Sequence, residues 1–174
     1  MTSSDLKLEL EHIANEIGAT LAIKEESIRA GGGAHSPELS FLLKITHHGH
    51  VIRIHIHAGT TAVGKVECLL PKLNQSLEFE ITTVSHFVNL FLRKGGRFRI
   101  ESKNEEVKTF FNQSIGLAKM RGIAKKDSFD PLIYGKNRGE EFRLITEYHL
   151  QFDNYWEVIK PIILFNKEFI NLFV

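Results

Sequence analysis

The sequence has almost no cysteine and almost no net charge, and each lack argues against a class of protein. Cys68 is the single cysteine of 174 residues, so the chain cannot form an intrachain disulfide or a cysteine-based zinc cage. We therefore expect a reducing compartment, the cytoplasm. The formal net charge of +1 favours neither nucleic acid nor an anionic membrane as a partner of the chain as a whole.

Long apolar runs are also missing. Residues 1–17 alternate charged with apolar side chains and lack the apolar core of a secretory signal. No stretch of about 18 uncharged apolar residues occurs anywhere, so the sequence predicts no membrane-spanning helix. No cofactor fingerprint is present either, and we expect no cofactor.

The apolar residues that are present predict one α+β domain over residues 1–174, with a mainly antiparallel sheet of about six to eight strands and about four helices packed on it. Alternation predicts strands within residues 39–45, 51–58, 62–71, 77–81, 97–101 and 131–134, with a further strand or two in 20–30. Residues 161–165 and 168–174 flank Asn166-Lys167 and predict a closing hairpin. Cys68 falls on the more apolar side of its strand and is predicted to be a core residue.

Helical spacing predicts the remaining elements. The predicted helices are residues 5–17, 82–95, 105–116 and, as the longest, 140–161. Ser102 and Glu105 are placed to form a capping box, and Gly116 to end the third helix. Residues 31–38 are predicted to be a loop, and residues 120–139 to be irregular around the short strand 131–134.

The most distinctive chemistry is the histidine pair in GHVIRIHIHAG, residues 49–59. His55 and His57 lie two apart, so on a strand both imidazoles project from one face, within reach of a single metal ion. A third ligand could come from His35, His47 or His86. Alternation alone explains the pair, as the solvated face of a strand whose other face is Ile52, Ile54 and Ile56, and this interpretation is favoured over a metal site.

The spacing from Gly49 to His55-x-His57 resembles the opening of the cupin metal motif. That resemblance implies a metal-dependent enzyme with His55 and His57 as two ligands. The cupin pattern then requires a glutamate four or five residues further on, where this chain has Thr61 and Ala62. Glu67 lies too far along the chain to complete it.

A second candidate surface is a basic segment, residues 93–126, with ten basic and three acidic residues and a local balance of 10 − 3 = +7. Arg93, Lys94, Arg97 and Arg99 would form its centre, with Arg97 and Arg99 on the exposed face of the strand 97–101. Such a segment could bind phosphates, nucleic acid or anionic lipid, or an acidic protein. The phenylalanines between the charges are predicted to face inward, which favours a solvated face or a protein partner over nucleic acid.

Three stretches resemble the soluble domain of an uncharacterised bacterial family whose members often carry transmembrane helices ahead of it. The stretches are GHVIRIHIHAG, SFDPLIYGKNRGEEFRLITEYHLQFDNYW and PIILFNKEFINLFV. The resemblance implies a strand with a leading glycine, a turn matched by Phe129-Asp130, a short strand, a long helix and a last hairpin. The present sequence departs from the family in predicting no transmembrane helix, and the resemblance implies no activity.

The leading hypothesis is a non-enzymatic cytoplasmic domain that binds another macromolecule, a protein. The apolar C-terminus, residues 169–174, or a sheet edge could also join copies of the chain into a homo-oligomer. Two alternatives remain open: a metal-dependent enzyme that uses His55 and His57, and an anion or nucleic-acid binder that uses the basic segment.

Overall fold

A computed structural model describes residues 3–29, 35–58, 62–84, 97–150 and 155–174. Within these ranges eight strands form one antiparallel sheet in the order β1-β2-β3-β4-β8-β7-β5-β6. The strands are β1 (Thr20–Arg29), β2 (His35–His47), β3 (His50–Ala58), β4 (Val63–Pro71), β5 (Phe79–Thr83), β6 (Phe98–Ser102), β7 (Leu132–Arg138) and β8 (Glu141–His149). The helices are α1 (Ser3–Ile17), α2 (Glu105–Gln113), α3 (Ile115–Lys126) and α4 (Ile159–Phe173). The predicted α+β architecture is confirmed.

The alternation of the strands separates two faces of the sheet. On one face Ile52, Ile54 and Ile56 of β3 are fully buried and join a single apolar core to which all four helices contribute. The other face, which we call the open face, carries half-buried or exposed side chains of the central strands, with the exception of the buried Ile145 of β8. The residues that define it are Arg53, His55, His57, Lys65, Glu67, Arg143, Glu147 and His149.

The turn between β2 and β3 contains two residues. His48 and Gly49 both have positive φ, 47° and 79°, and His47 pairs with His50 on either side of them. Positive φ at both central positions is the geometry of a two-residue turn that matches strand twist, and glycine adopts it without strain. The register of β3 against its neighbours is therefore set at this end.

The prediction of a long helix at 140–161 is wrong, because residues 141–149 of that segment form β8. Phe142, Leu144, Thr146 and Tyr148 are all buried, a period of two, and the strand pairs with β4 on one side and β7 on the other. A two-residue turn containing Gly139, with φ of 66°, joins it to β7. The apolar spacing of this segment also fits a helix, but burial between two neighbouring strands favours the strand.

The predicted closing hairpin is also wrong, because residues 159–173 form α4. Asn166 is buried at 1% exposure, and its Nδ2 donates to the Ile162 carbonyl at 2.9 Å within the helix. The residues of α4 that are buried recur at helical spacing against the core: Ile159, Ile162, Ile163, Phe165, Phe169 and Ile170. The long helix and last hairpin implied by the family resemblance are therefore not this chain's structure.

Smaller corrections concern the helices near the basic segment. The helix predicted at 105–116 ends at Gln113, and α3 begins directly after Ser114, so residues 120–126 are helical rather than irregular. Asn104, not Ser102, caps α2: its Oδ1 accepts from the backbone N–H of Glu106 at 2.7 Å. Of the helix predicted at 82–95, Thr82 and Thr83 belong to β5, and residues 85–95 lie outside the described residues. The loop predicted at 31–38 is β2 from His35 onward.

Candidate functional site

The registers of β3, β4, β8 and β7 align the open face in rows. His57 lies opposite Val63, which lies opposite His149. In the next row, His55, Lys65, Glu147 and Leu132 follow one another across the four strands. Directly opposite residues share a face and have Cβ atoms about 5 Å apart. Two sequence-distant segments, 55–67 and 147–149, are thus brought together.

These rows line a pocket of about 650 Å³, which we call the open-face pocket. Its lining consists of His55, His57, Val63, Gly64, Lys65, Glu67, Asp130, Leu132, Glu147, Tyr148 and His149. Ionisable groups therefore lie beside the apolar side chains of Val63 and Leu132. A volume between 300 and 1,000 Å³ is about that of pockets that hold small ligands or side chains of a partner.

A hydrogen-bonded ion pair lies at one side of the open-face pocket. The Nζ of Lys65 is 3.2 Å from Oε2 of Glu67, and Nε2 of His55 is 3.6 Å from Oε1 of Glu67. Burial lowers the pKa of His55 below its usual value, and the attraction of Glu67 offsets this only in part. Burial alone would raise the pKa of Glu67, but the bond to Lys65 and the nearby cations lower it overall. At neutral pH the imidazole of His55 is therefore neutral and the carboxyl group of Glu67 is ionised.

His57 has a different partner. Its Nδ1 is 2.9 Å from Oγ of Ser40, the residue directly opposite on β2. When Nδ1 donates to this oxygen, the lone pair of Nε2 is available to a ligand. Among the described residues no carboxylate lies within ion-pair distance of His57, so this serine–histidine contact does not extend to a catalytic triad there.

The metal prediction has been neither confirmed nor contradicted. His55 and His57 do share one face, as predicted, but in the described ranges no three histidine, cysteine or carboxylate groups are placed to hold one ion. Of the suggested third ligands, His86 lies outside the described residues, and no side chain is described at His35. His47 lies at the far end of β2, where its Nε2 is 2.7 Å from Oδ1 of Asn171.

The exposure predicted for Arg97 is wrong. β6 begins one residue later, so Arg97 precedes the alternation, and its residue exposure is 3%. Its guanidinium donates to the carbonyls of Val84 at 3.1 Å, of Asp127 at 3.3 Å and of Ala124, and to the carboxylate of Asp130. These carbonyls include the end of α3, where helices leave acceptors unsatisfied. Arg97 is therefore a structural donor.

Of the rest of the predicted basic centre, the structure describes only Arg99. Arg99 is exposed on β6, as predicted, while Arg93 and Lys94 lie outside the described residues. Lys119 and Lys125 are exposed on α3, in the helix layer. Binding of an anion or nucleic acid by this segment stays a prediction.

Cys68 is fully buried in the core, as its strand pattern predicts. Burial raises the pKa of its thiol to about 11, so the reactive thiolate is scarce at neutral pH.

Glu67, Glu147 and His149 are among the pocket residues that sequence reasoning missed. Glu67 lies far from His55 along the chain, but the β3–β4 pairing brings the two side chains together. Glu147 and His149 lie in the segment predicted to be a helix. The signal that could have found them is the period of two of Phe142, Leu144 and Tyr148, which places Glu147 and His149 together on the opposite face of a strand.

Comparisons with protein-family models, with curated proteins and with solved structures found no match to this chain. In the part of the chain that the structure describes, no helix combines the length and apolar character needed to cross a membrane.

Proposed function

We propose that this chain is a non-enzymatic binding domain that holds a segment of a partner protein on the open face of its sheet, centred on the open-face pocket. The observation that carries the proposal is the pocket itself, in which apolar walls and ionisable groups occur together on a face that none of the described helices covers. Contact centres of protein interfaces combine apolar anchors with a polar rim in this way.

The compartment is part of the same proposal. A lone cysteine buried in the core, with no disulfide partner in the sequence, is compatible with the reducing cytoplasm. Assembly of copies through the C-terminus is a weaker candidate, because Phe169 and Ile170 are buried in the core and only Leu172 and Val174 are strongly exposed there.

The test is to select peptides from a random library on the immobilised protein and to map each one by amide chemical shifts of the labelled protein. We expect the selected peptides to shift amides of β3, β4 and β8 around the pocket. Lys44→Ala, on the open face but outside the pocket lining, serves as a control that should leave affinity unchanged. Peptides that shift only the helices or the edge strands would overturn the proposal.

Metal-dependent chemistry is the second candidate, and one observation favours it. β8 brings His149 and Glu147 into the same pocket as His55 and His57, which adds donors that the sequence alone did not supply. Elemental analysis of the protein purified without a histidine tag decides it. About one equivalent of a transition metal that is lost in His55→Ala with His57→Ala would replace the binding proposal with this one. Protein that is purified without bound metal would exclude metal-dependent chemistry.

A further inference from the structure

We propose that the open-face pocket binds an arginine side chain of the partner protein, with the carboxylate of Glu147 as its anchor. This inference rests on the proposed function and names what the pocket recognises. It follows from the charge balance of the lining, from the apolar walls, and from the geometry that a carboxylate offers to a guanidinium.

The three carboxylates of the lining differ in their partners. Glu67 is paired with Lys65 at 3.2 Å, and Asp130 is paired with the buried Arg97. For Glu147, the described residues place no cationic nitrogen within 4.0 Å and form no hydrogen bond with its carboxylate. Glu147 is therefore the lining carboxylate that the described part of the fold leaves for a ligand.

Lys65 does not remove this imbalance, although it lies directly opposite Glu147 on β4. Its ammonium is bonded to Glu67, which lies two residues along the same strand, so Lys65 is not paired with Glu147. Arg53 lies opposite Glu67 on β3 and adds its positive charge on that side, outside the pocket lining. His55 contributes no compensating charge at neutral pH, because burial holds its pKa low.

The walls suit a long cationic side chain rather than a small ion. Leu132 lies directly beside Glu147 on β7, and Val63 lies one row away on β4; both are half-buried and line the pocket. Methylene stems of arginine and lysine pack on such apolar surface while the charged group reaches a carboxylate. Arginine is favoured over lysine because its planar guanidinium can donate two parallel hydrogen bonds to one carboxylate and is more weakly hydrated. The 650 Å³ volume leaves room for the flanking backbone as well.

The test uses two acetylated, amidated tripeptides, Gly-Arg-Gly and Gly-citrulline-Gly, titrated into the labelled full chain at up to millimolar concentration. Citrulline keeps the shape of arginine and removes its charge. We expect the arginine peptide to shift amides around Glu147 and to bind at least about tenfold more tightly than the citrulline peptide. In Glu147→Gln the preference should disappear. Glu80→Gln is the control, because Glu80 is bonded to Lys136 and lies outside the pocket; in this variant the preference for the arginine peptide should persist.

Equal affinity for the two peptides, no shift around the pocket, or an arginine preference that survives Glu147→Gln would each overturn the inference. The library selection separates this failure from failure of the proposed function. Selected peptides that occupy the pocket without a basic residue, and whose affinity is unchanged by Glu147→Gln, would leave the binding function standing and remove arginine as its ligand. Selected peptides that avoid the pocket would remove both.

Discussion

The two sides of the sheet use their charged residues in opposite ways. On the helix side, Arg97 is bonded to three carbonyls and a carboxylate, and Glu168 of α4 accepts from Ser114 Oγ at 2.6 Å and from the N–H of Gly116 at 3.2 Å. On the open side, Glu147 has no such partner among the described residues, and His149 is exposed. Arg97 and Glu168 therefore complete helix ends, whereas Glu147 remains available to a ligand.

Charge in a sequence does not by itself mark a binding surface. Arg97 belongs to the most basic segment of the chain, yet it is committed to the fold. Glu147 belongs to no charge cluster, yet it lines the pocket. What distinguishes the two is whether helix ends, which leave polar backbone groups without partners, lie close enough to bond the side chain.

The largest change in stability is expected on the helix side, at Arg97. Arg97→Met should lower the free energy of unfolding by about 3 kcal/mol, because it removes the donor from the buried bond to the Ala124 carbonyl and from the part-buried bonds to the Val84 and Asp127 carbonyls. Arg99→Met, two residues away and exposed, should change it by less than about 0.5 kcal/mol. Urea denaturation of both variants measures this. Equal losses, or no loss in Arg97→Met, would show that the buried guanidinium does not hold the end of α3.

The next effect concerns how closely the helices pack. A Cβ on Gly116 of α3 would lie 2.7 Å from the Pro161 carbonyl oxygen and 2.8 Å from the Phe165 Cα of α4, so Gly116→Ala should cost about 2 kcal/mol. Gly122, on the same helix, has nothing within 4 Å of such a Cβ, so Gly122→Ala should gain about 0.5 to 1 kcal/mol. Thermal denaturation of the pair measures the difference. The same sign for both variants would contradict the close contact between α3 and α4.

The strands that alternate cleanly could be predicted from the sequence, and those with a second periodicity could not. β3 and β4 were placed correctly because their apolar residues recur every two positions and a turn precedes β3. In β8, Phe142, Ile145 and Tyr148 also recur every three positions and imitate a helix. Only pairing with β4 and β7 distinguishes the two, and single-chain periodicity carries no information on pairing.

Part of the candidate site could be predicted from the sequence for the same reason. His55 and His57 were identified because their strand was predicted correctly. Glu67, Glu147 and His149 join them through strand register, which depends on turn positions and on long-range pairing rather than on spacing along the chain.

A smaller effect on the open side is pH dependence. The folded pKa of His55 lies below the unfolded value of 6.5, so the unfolded chain takes up a proton first as the pH falls. The stability from keeping His55 neutral is therefore full above that value and is lost as the pH falls towards the folded pKa. As the pH rises through about 6.5, the free energy of unfolding should rise with it, and His55→Gln should flatten this rise. An unchanged slope in the variant would assign the rise to other groups.

The smallest effect on stability is expected at the pocket carboxylate. Glu147→Gln should change the free energy of unfolding by less than about 0.5 kcal/mol, because no bond among the described residues depends on its charge. Urea denaturation at pH 7 measures this change. A loss above about 1 kcal/mol would give Glu147 a structural role like that of Arg97 and would remove the contrast between the two sides.

The most direct test of the central claim compares one apolar side chain on each side of the sheet. Leu132 lines the open-face pocket, and Leu8 on α1 is 66% exposed on the helix side. The affinity of a library-selected peptide should fall at least about tenfold in Leu132→Glu and stay unchanged in Leu8→Glu, with both variants folded by circular dichroism. A loss in Leu8→Glu with full affinity in Leu132→Glu would place the binding surface on the helices and contradict the account.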